Sequence, residues 1–378
     1  MFKGISIPID KDPPWLITKK KSNLLCDEQG NRLSAEYIYS KKGIDRINLL
    51  KYVFNYYRNK GFPYPENNIN LKNDYIKLCK RNVNDVISGE GYIKNTNILG
   101  LNICRYFTKK LYYSSKGINN LKSCIDVFND DNLFIKVLMN RMGWNTTKEG
   151  GIERTYIFSI DDAMIIQGMR SSGLAYIVSQ FKPLMAKYLC NKFAKNRVLD
   201  FSAGWGARAL GAISLGLQYI GIDPLTYNNI NSLIEYFNGN GSVINGCSED
   251  ENIYTNIGGK FDFIFSSPPY FNQEIYCNSI TQCYNRYTNY QDWLNIYWKN
   301  TILNCLSVLE NNGFFSFIML DKISKFDIAL DMLNICKNNN LILYNILPFN
   351  TITSHLSNKS KSLKYTKNSE KVYILKKK

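Results

Sequence analysis

The chain has 378 residues, of which 45% are hydrophobic, so its length and composition allow two domains with buried cores. Its 47 Lys and Arg outnumber 31 Asp and Glu and give a net charge of +16, which favours nucleic acid as a partner, although a basic chain can also be merely soluble. The single histidine, His355, nearly excludes histidine-based zinc sites and Ser-His or Cys-His nucleophile pairs, and we expect no metal.

The cysteine pattern indicates whether the protein resides in a reducing or an oxidising compartment. The ten cysteines include no Cys-x-x-Cys pair, so we interpret them as reduced thiols rather than a disulfide framework. No apolar run reaches the length that a membrane span needs, and residues 1–14 do not resemble a signal peptide. We therefore expect an intracellular protein without a membrane span.

Residues 1–150 are predicted to form a mainly helical N-terminal domain. Residues 1–42 have the composition of an irregular or weakly stranded segment. Apolar residues then recur at helical spacing, as in Leu49, Leu50 and Val53. Helices are predicted at residues 45–59, 71–86, 97–113 and 121–142.

Basic and aromatic residues are interleaved in the third of these helices. Lysine on phosphate and aromatic rings on bases would suit binding of a nucleic-acid strand or groove. A solvated helix face with core tyrosines explains the same pattern. No zinc-finger, homeodomain or RNA-recognition signature is present, so nucleic-acid recognition is assigned to this domain by elimination. The interleaved basic and aromatic residues of this helix are Arg105, Tyr106, Phe107, Lys109, Lys110, Tyr112 and Tyr113.

A polar, glycine-containing stretch at residues 145–151 is the predicted boundary with a second domain, residues 151–378. A short strand is expected at 155–158. Ser159 is then expected to cap a helix, because acidic residues follow it in the first turn. From Phe181 onward strands and helices alternate, which predicts an α/β domain with a mostly parallel sheet and helices on both faces.

A strand, a glycine turn and a helix are predicted at residues 197–215. Gly204 and Gly206 allow positive φ angles and close approach of the backbone to a ligand. The next strand, residues 218–222, ends in Asp223, a carboxylate placed to hold a ribose hydroxyl. The third glycine of the dinucleotide fingerprint is missing, which argues against NAD.

The apolar run at residues 261–265 predicts a buried strand that stops before two prolines. Open α/β sheets bind ligands beyond the carboxyl ends of their strands. There the Ser267 hydroxyl and the Pro268 carbonyl would form an acceptor pair beside the Tyr270 ring, which suits a planar ring with an amino group. A proline-rich turn closed by a core tyrosine is the alternative.

The rest of the second domain continues the alternation. Polar residues 350–369 are expected to loop out. The other predicted elements are a third strand at 243–247, a helix at 289–311 capped by Asn312 and Gly313, a further helix, and strands at 314–320, 341–347 and 371–375.

These motifs resemble those of the S-adenosylmethionine-dependent amino-methyltransferases that act on exocyclic amines of DNA bases. The glycine motif, Asp-x-x-x-Gly-x-Gly, matches Asp200, Gly204 and Gly206, and the second-strand acid matches Asp223. The catalytic tetrad, (Asp/Asn/Ser)-Pro-Pro-(Tyr/Phe/Trp), matches Ser267, Pro268, Pro269 and Tyr270.

The resemblance covers about residue 181 to the C-terminus and leaves the first 150 or so residues unmatched. Trp205 stands where the family usually has a small residue, and the two motifs leave no room between them for a target-recognition domain. The resemblance implies a seven-stranded, Rossmann-like methyltransferase sheet, mostly parallel with an antiparallel last strand.

S-adenosyl-L-methionine is the cofactor that the resemblance implies. Ser248 and Glu249 lie where the family contacts adenine, and Phe181 and Pro183 lie where a segment closes over the methionine end. An ordinary acidic turn and a helix packed on the sheet are the alternatives for these two pairs. The cofactor-binding residues implied are Asp200, Ser202, Ala203, Gly204, Gly206, Asp223, Ser248, Glu249, Phe181 and Pro183.

The tetrad implies direct methyl transfer to a base amine. Ser267 Oγ and the Pro268 carbonyl would accept the amine N–H groups and free its lone pair, while Tyr270 stacks on a flipped or single-stranded base. In the family, a serine in the first tetrad position slightly favours cytosine N4 over adenine N6 as the methylated atom in DNA. Such an activity would suit DNA methylation in a restriction-modification system. An RNA base amino-methyltransferase and a catalytically inactive nucleic-acid-binding subunit remain alternatives.

Overall fold

The computed structural model describes residues 25–27, 29–87, 93–94, 97–117, 121–143, 145–146, 152–153, 157–350 and 370–378. These residues form two compact units. One contains the described residues of Met1–Ile69 and Tyr113–Val178, and the other contains those of Asn70–Tyr112 and Ser179–Lys378. The expected boundary near residue 150 differs from this division, because residues 70–112 fold with the C-terminal part of the chain.

Lys187 anchors part of that segment within the second unit. Its side chain is only 3% exposed. Its ammonium group donates to the backbone carbonyls of Leu78, Cys79 and Arg81 at 2.8, 2.7 and 3.0 Å. These carbonyls lie at the end of helix Leu71–Lys80, where the last carbonyls lack partners within the helix. A buried charge therefore fixes the end of this helix to the second unit.

The second unit is built on a sheet whose seven long strands we label β1 to β7 in chain order. They are Arg197–Asp200, Gln218–Ile222, Gly241–Ile244, Phe261–Ser266, Leu309–Met319, Leu341–Asn350 and Lys371–Lys377. Their spatial order is β3-β2-β1-β4-β5-β7-β6, and the two-residue strand Ile93–Lys94 pairs with the end of β6. The pairs among β1 to β5 are parallel, whereas β7 runs antiparallel to both of its neighbours. The expected α/β class and sheet are confirmed.

Strand β4 is buried along its whole length, as its apolar sequence predicts. Its charged residue, Asp262, is also buried, and the Asp262 carboxylate accepts the backbone N–H groups of Lys195, Asn196 and Arg197 at 2.8, 2.8 and 2.9 Å. A buried carboxylate is tolerated when its oxygens are hydrogen-bonded. Asp262 thus fixes the chain that enters β1 at the amino end of the sheet.

Helices cover both faces of this sheet. Adjacent residues of a strand point to opposite faces, and Phe314 and Phe315 of β5 contact different helices. Phe193 packs on Phe314, whereas Trp298 packs on Phe315. The helices that lie mainly in the second unit are Leu71–Lys80, Leu101–Ser114, Pro183–Phe193, Ala207–Ile213, Tyr227–Tyr236, Glu251–Thr255, Cys283–Arg286, Tyr290–Asp292, Lys299–Val308 and Ile328–Asn338, with a 3₁₀ turn at Val83–Val86.

The predicted helix at 289–311 and its cap differ from the structure. The helical segment contains a π-helical stretch, Trp293–Trp298, and ends at Val308. Asn312 and Gly313 do not cap it, because β5 begins at Leu309 and includes both residues. Asn312 has a positive φ of 62°, and the register of β5 against β4 shifts between Leu309 and Phe314. The Asn-Gly pair therefore forms an irregularity within the strand.

The first unit is helical, as predicted, but its boundaries differ. The expected helix at 121–142 is two helices, because Asp130 ends one and caps the next by accepting the Leu133 N–H at 3.1 Å. Asp161, not Ser159, caps the last helix through the Met164 N–H at 2.7 Å. Among the described residues its helices are Ala35–Ser40, Gly43–Lys60, Cys124–Asn129, Asp131–Arg141 and Asp162–Ser171, with a 3₁₀ turn at Pro65–Asn68.

Several expectations fall wholly or partly outside the described residues. These concern residues 1–24, most of the expected strand at 155–158, and the polar stretch 351–369 with His355. The expected boundary at 145–151 is described only at Asn145–Thr146, which pairs with Ile152–Glu153. In the part of the chain that is described, no helix combines the length and the apolar character needed to cross a membrane.

The interleaved basic and aromatic residues are largely engaged in packing. Tyr112 and Tyr113 are buried, and the Phe107 ring lies 5.7 Å from that of Tyr236. Arg105 Nε donates to Gln180 Oε1 at 2.7 Å. These contacts favour the core interpretation of the helix over a continuous surface for stacking bases.

Candidate active site

The predicted motifs converge at one edge of the sheet. Strand β1 lies between β2 and β4 and runs parallel to both, so the carboxyl ends of all three strands meet. Two hydrogen bonds join the motifs directly. Ser266 Oγ donates to Asp200 Oδ1 at 2.7 Å, and the Gly204 N–H donates to Asp223 Oδ2 at 2.9 Å.

Asp200 is the centre of this junction. It has no exposed surface, and besides Ser266 it accepts the Tyr219 hydroxyl and Arg208 Nε, both at 2.8 Å. It also accepts the backbone N–H of Ser202 at 3.2 Å. With four donors its carboxylate has little capacity left for a ligand. The geometry gives Asp200 the task of holding the turn, while its predicted contact with a cofactor stays a prediction.

Arg208 is a residue of this junction that the sequence analysis missed. It is 5% exposed and forms an ion pair with Asp200. Although burial opposes its charged form, the facing Asp200 carboxylate raises the pKa of Arg208 overall. Its guanidinium also donates to the Ser202 carbonyl and lies 5.9 Å from the Phe181 ring. An arginine in the first turn after a glycine loop, eight residues beyond a buried aspartate, is the signal that would have revealed it.

The glycine turn has the backbone that its sequence predicts. Gly204 and Gly206 have φ angles of 59° and 84°, in the left-handed region that favours glycine. A Cβ built on Gly204 would touch Arg208 Nη2 at 3.5 Å and the Ser202 carbonyl oxygen at 3.7 Å, both ordinary contact distances, so the positive φ rather than crowding is what favours glycine here. The Thr226 hydroxyl donates to the Gly204 carbonyl and fixes the turn from the next strand-helix connection.

Asp223 faces this turn from the end of β2. It is 9% exposed, and its Oδ1 accepts the Leu225 and Thr226 N–H groups at 2.9 and 2.8 Å. Burial raises the pKa of its carboxyl, and the backbone hydrogen bonds from Thr226, Leu225 and Gly204 oppose that rise. A carboxylate oxygen can accept two hydrogen bonds, so Oδ2, which accepts one from Gly204, can accept another donor.

Trp205, the bulky residue of the turn, is held by two tyrosines. Its ring meets the Tyr112 ring edge-on at 5.3 Å and the Tyr276 ring at 5.8 Å. Edge-to-face pairs at these distances are favourable. The large side chain is therefore accommodated by an aromatic cluster that the family resemblance did not predict.

The tetrad lies directly beyond β4. Ser267, Pro269 and Tyr270 are half-buried, Pro268 is buried, and the Tyr270 side chain packs partly against the core. The Tyr270 hydroxyl donates to Glu370 Oε1 at 2.6 Å. Burial, together with the neighbouring Glu370, raises the pKa of Tyr270 well above its ordinary value. Glu370 is a second residue of the site that the sequence analysis missed.

Ser248 and Glu249 are held by the helical segment that follows the tetrad. Ser248 Oγ lies 3.0 Å from Thr301 Oγ1. Glu249 accepts the Tyr287 hydroxyl at 2.6 Å and pairs with Arg286 at 2.9 Å. Their predicted contact with adenine stays a prediction, and these bonds show which groups a ligand would compete with.

Phe181 and Pro183 lie beside the same strands. The Phe181 ring meets the Phe265 ring of β4 edge-on at 5.6 Å. Pro183 is buried at the first position of helix Pro183–Phe193, where its missing N–H leaves no donor unsatisfied. Their predicted role at the methionine end stays a prediction. Ser202 and Ala203 belong to the turn itself, and the Ala203 N–H donates to the Ile222 carbonyl at 2.9 Å.

No family model and no curated protein matches the sequence. Solved structures similar to it include TrmN from Thermus thermophilus, with 14% identity over 52% of this chain and 49% of that one, at a TM-score of 0.35. A TehB-like SAM-dependent methyltransferase from Corynebacterium glutamicum has 15% identity over 57% of this chain and 96% of that one, at 0.35. The T. thermophilus 16S rRNA N2 G1207 methyltransferase RsmC, in complex with AdoMet and guanosine, has 13% identity over 53% and 44%, at 0.33. The chain thus spans about half the length of the first and third, and we infer function from its own residues.

Proposed function

We propose that the protein transfers a methyl group from S-adenosyl-L-methionine to the exocyclic amino group of a nucleic-acid base. The observation that carries this proposal is the junction at the carboxyl ends of β1, β2 and β4. There Asp200 is bonded to Ser266, which directly precedes the tetrad, and Gly204 is bonded to Asp223. The turn proposed to bind the cofactor and the turn proposed to bind the amine thus lie at one edge of the sheet.

The residues present fit the cofactor. Gly204 and Gly206 carry no side chains and have positive φ angles, which permits close approach of a ligand to the backbone of the turn. The remaining acceptor capacity of Asp223 Oδ2 suits a ribose hydroxyl. When bound, the cofactor supplies an electrophilic methyl group on a sulfonium. Asp223, Gly204 and Gly206 would hold it, with Phe181 and Pro183 at the methionine end and Ser248 and Glu249 at the adenine.

The tetrad would activate the amine. A base amine is a poor nucleophile because its lone pair is delocalised into the ring. Ser267 Oγ and the Pro268 carbonyl would accept its two N–H groups and draw the nitrogen towards tetrahedral geometry, while the Tyr270 ring stacks on the base. This is catalysis by positioning and electrostatics. A base within a duplex must be flipped out first.

Nucleoside analysis after incubation with methyl-labelled cofactor tests the proposal. The purified chain is mixed with single-stranded DNA, duplex DNA and RNA of mixed sequence, and the digested nucleosides are separated. The serine of the tetrad favours label on N4-methylcytosine from DNA. Label on N6-methyladenine, or label only from RNA, would change the substrate and keep the reaction class. A chain that binds no cofactor in calorimetry and labels no nucleoside would contradict the proposal.

A further inference from the structure

Glu370 joins the tetrad from the far end of the chain. It directly precedes β7, and its backbone carbonyl accepts the Phe349 N–H of β6 at 3.0 Å. Its carboxylate accepts the Tyr270 hydroxyl at 2.6 Å, a length typical of a bond between a hydroxyl and a carboxylate. The backbone anchor fixes the carboxylate relative to the sheet, so the bond positions Tyr270 as well.

A second hydrogen bond extends this contact to Ser267. Ser267 is a hydrogen-bonding neighbour of the Tyr270 hydroxyl and lowers the Tyr270 pKa, against the larger effects of burial and Glu370. Ser267, Tyr270 and Glu370 thus form a row in which the Tyr270 hydroxyl donates to Glu370 and the Ser267 hydroxyl can donate to the Tyr270 oxygen. A serine hydroxyl that donates its proton keeps lone pairs that can accept hydrogen bonds, so Ser267 Oγ could also accept an N–H of the proposed amine.

The proposed reaction requires an acceptor for a proton. When the amine lone pair forms the N–CH₃ bond, the C–S bond breaks with its electron pair on sulfur. The nitrogen is then positively charged and must lose one proton to give the neutral methylamine. A serine hydroxyl cannot keep that proton near neutral pH, whereas a carboxylate can.

We propose that Glu370 takes up this proton through the hydroxyls of Ser267 and Tyr270. The inference rests on the proposed function. The amine proton passes to Ser267 Oγ, the Ser267 proton passes to the Tyr270 oxygen, and the Tyr270 proton passes to Glu370 Oε1. Both hydroxyls end as they began, and Glu370 ends as a neutral carboxylic acid that later releases the proton to solvent.

The surroundings of Glu370 suit a proton acceptor. Burial raises the pKa of its carboxyl above the ordinary value, and Glu274 adds to the rise, while the bond from Tyr270 and the charge of Lys182 oppose it. Glu274 lies in the segment after the tetrad, and Lys182 directly precedes helix Pro183–Phe193. The next residue, Lys371, begins β7 and is paired with Asp321.

Glu370→Gln separates proton uptake from positioning. The amide oxygen can still accept the Tyr270 hydroxyl but cannot take up a proton. We expect kcat to fall about 100-fold, in the range of general-base contributions, with cofactor affinity unchanged within about twofold. We also expect the wild-type rise of kcat through the apparent pKa of Glu370 to disappear. Tyr270→Phe breaks the relay one step earlier, so the double variant should be no slower than Glu370→Gln alone.

Unfolding by urea at several pH values gives a readout that needs no methyl transfer. A carboxyl whose folded-state pKa is raised binds its proton in the folded chain at a pH where the unfolded chain has lost it. Its contribution to stability therefore falls as pH rises between the two pKa values. Glu370→Gln should remove that slope, and a slope unchanged by the substitution would overturn the assignment.

A matched control lies on the same strand. The Tyr373 hydroxyl donates to Asp321 Oδ1 at 2.5 Å, a second tyrosine-carboxylate pair outside the tetrad. Asp321→Asn should leave the pH profile of kcat unchanged. The relay alone would be overturned if the wild type transferred methyl groups and Glu370→Gln kept full activity. It would also be overturned if the double variant had a lower kcat than Glu370→Gln. Absence of transfer by the wild type would overturn the proposed function and the relay with it.

Discussion

The turn after β1 and the turn after β4 lie side by side but are held in different ways. The first is bonded internally, since Asp200 accepts four donors and Asp223 accepts three backbone N–H groups. The second has half-buried residues, and the side-chain bond that leads away from it goes to Glu370, 100 residues further along the chain. The difference teaches that the first turn is part of the folded core, whereas the second keeps partly exposed side chains, which the proposed function assigns to the substrate.

Substitution of Asp200 should give the largest effect and should act on stability. Asp200→Ala leaves Arg208 buried without its counter-ion, and breaking one partner of a buried pair costs about 3–5 kcal/mol. Urea unfolding followed by circular dichroism measures the loss. A loss below about 1 kcal/mol, the contribution of an exposed ion pair, would show that the buried Asp200–Arg208 pair does not stabilise the first turn.

Asp223→Ala should come next and should act mainly on cofactor affinity. A ribose hydroxyl would lose a charged acceptor, which weakens binding by about 1.5–3 kcal/mol, or roughly 10- to 150-fold in Kd. Calorimetry with S-adenosyl-L-methionine measures the change. Asp262→Ala is the matched control, because Asp262 also accepts three backbone N–H groups but lies at the amino end of β4. Equal loss of affinity in both variants would remove Asp223 from the site.

In the second turn, Tyr270→Ala should weaken base binding by about 1–3 kcal/mol relative to Tyr270→Phe, because the phenylalanine keeps a stacking ring. Titration with a single-stranded oligonucleotide in the presence of S-adenosylhomocysteine measures binding without turnover. Both variants lose the bond to Glu370, so the difference between them reports the ring. Equal affinities would favour the core interpretation of Tyr270, all the more if the alanine variant also melted earlier.

These contrasts also explain how much the sequence could predict. The strands of the sheet and the positions of Asp223 and the tetrad follow from local patterns: short apolar runs, glycines with positive φ, and prolines that end a strand. Arg208, Ser266 and Glu370 escaped prediction because their roles depend on partners that only the fold brings near, such as Asp200 for Ser266. A polar residue at the end of a buried strand gives no local signal of the carboxylate that it will meet.

The same limit applies in the helical parts of the chain. The interleaved residues around Arg105 matched a binding surface in sequence, but Gln180 accepts the Arg105 guanidinium from 75 positions away. The helix predicted at 121–142 is two helices in the structure, because Asp130 ends the first and its side chain caps the second. Periodicity indicates that a helix exists, whereas its ends and its partners depend on single side chains and on the tertiary fold.

The smallest expected effect comes from the adjacent serines at the border of the two turns. Ser266 is fully buried and bonded to Asp200, while Ser267 is half-buried and is the proposed acceptor of the amine. Ser266→Ala should therefore lower the free energy of unfolding by about 1 kcal/mol, the usual contribution of one buried hydrogen bond. Ser267→Ala should lower that free energy less, because its side chain is only half-buried, and should reduce kcat, because it removes an amine acceptor and the first hydroxyl of the relay. Unfolding and methyl transfer measured on both variants decide the point, since the two residues are adjacent and differ in burial and in their bond to Asp200. If Ser266→Ala lost turnover while Ser267→Ala lost stability, the border between the folded core and the substrate-facing turn would lie one residue away from where these contacts indicate.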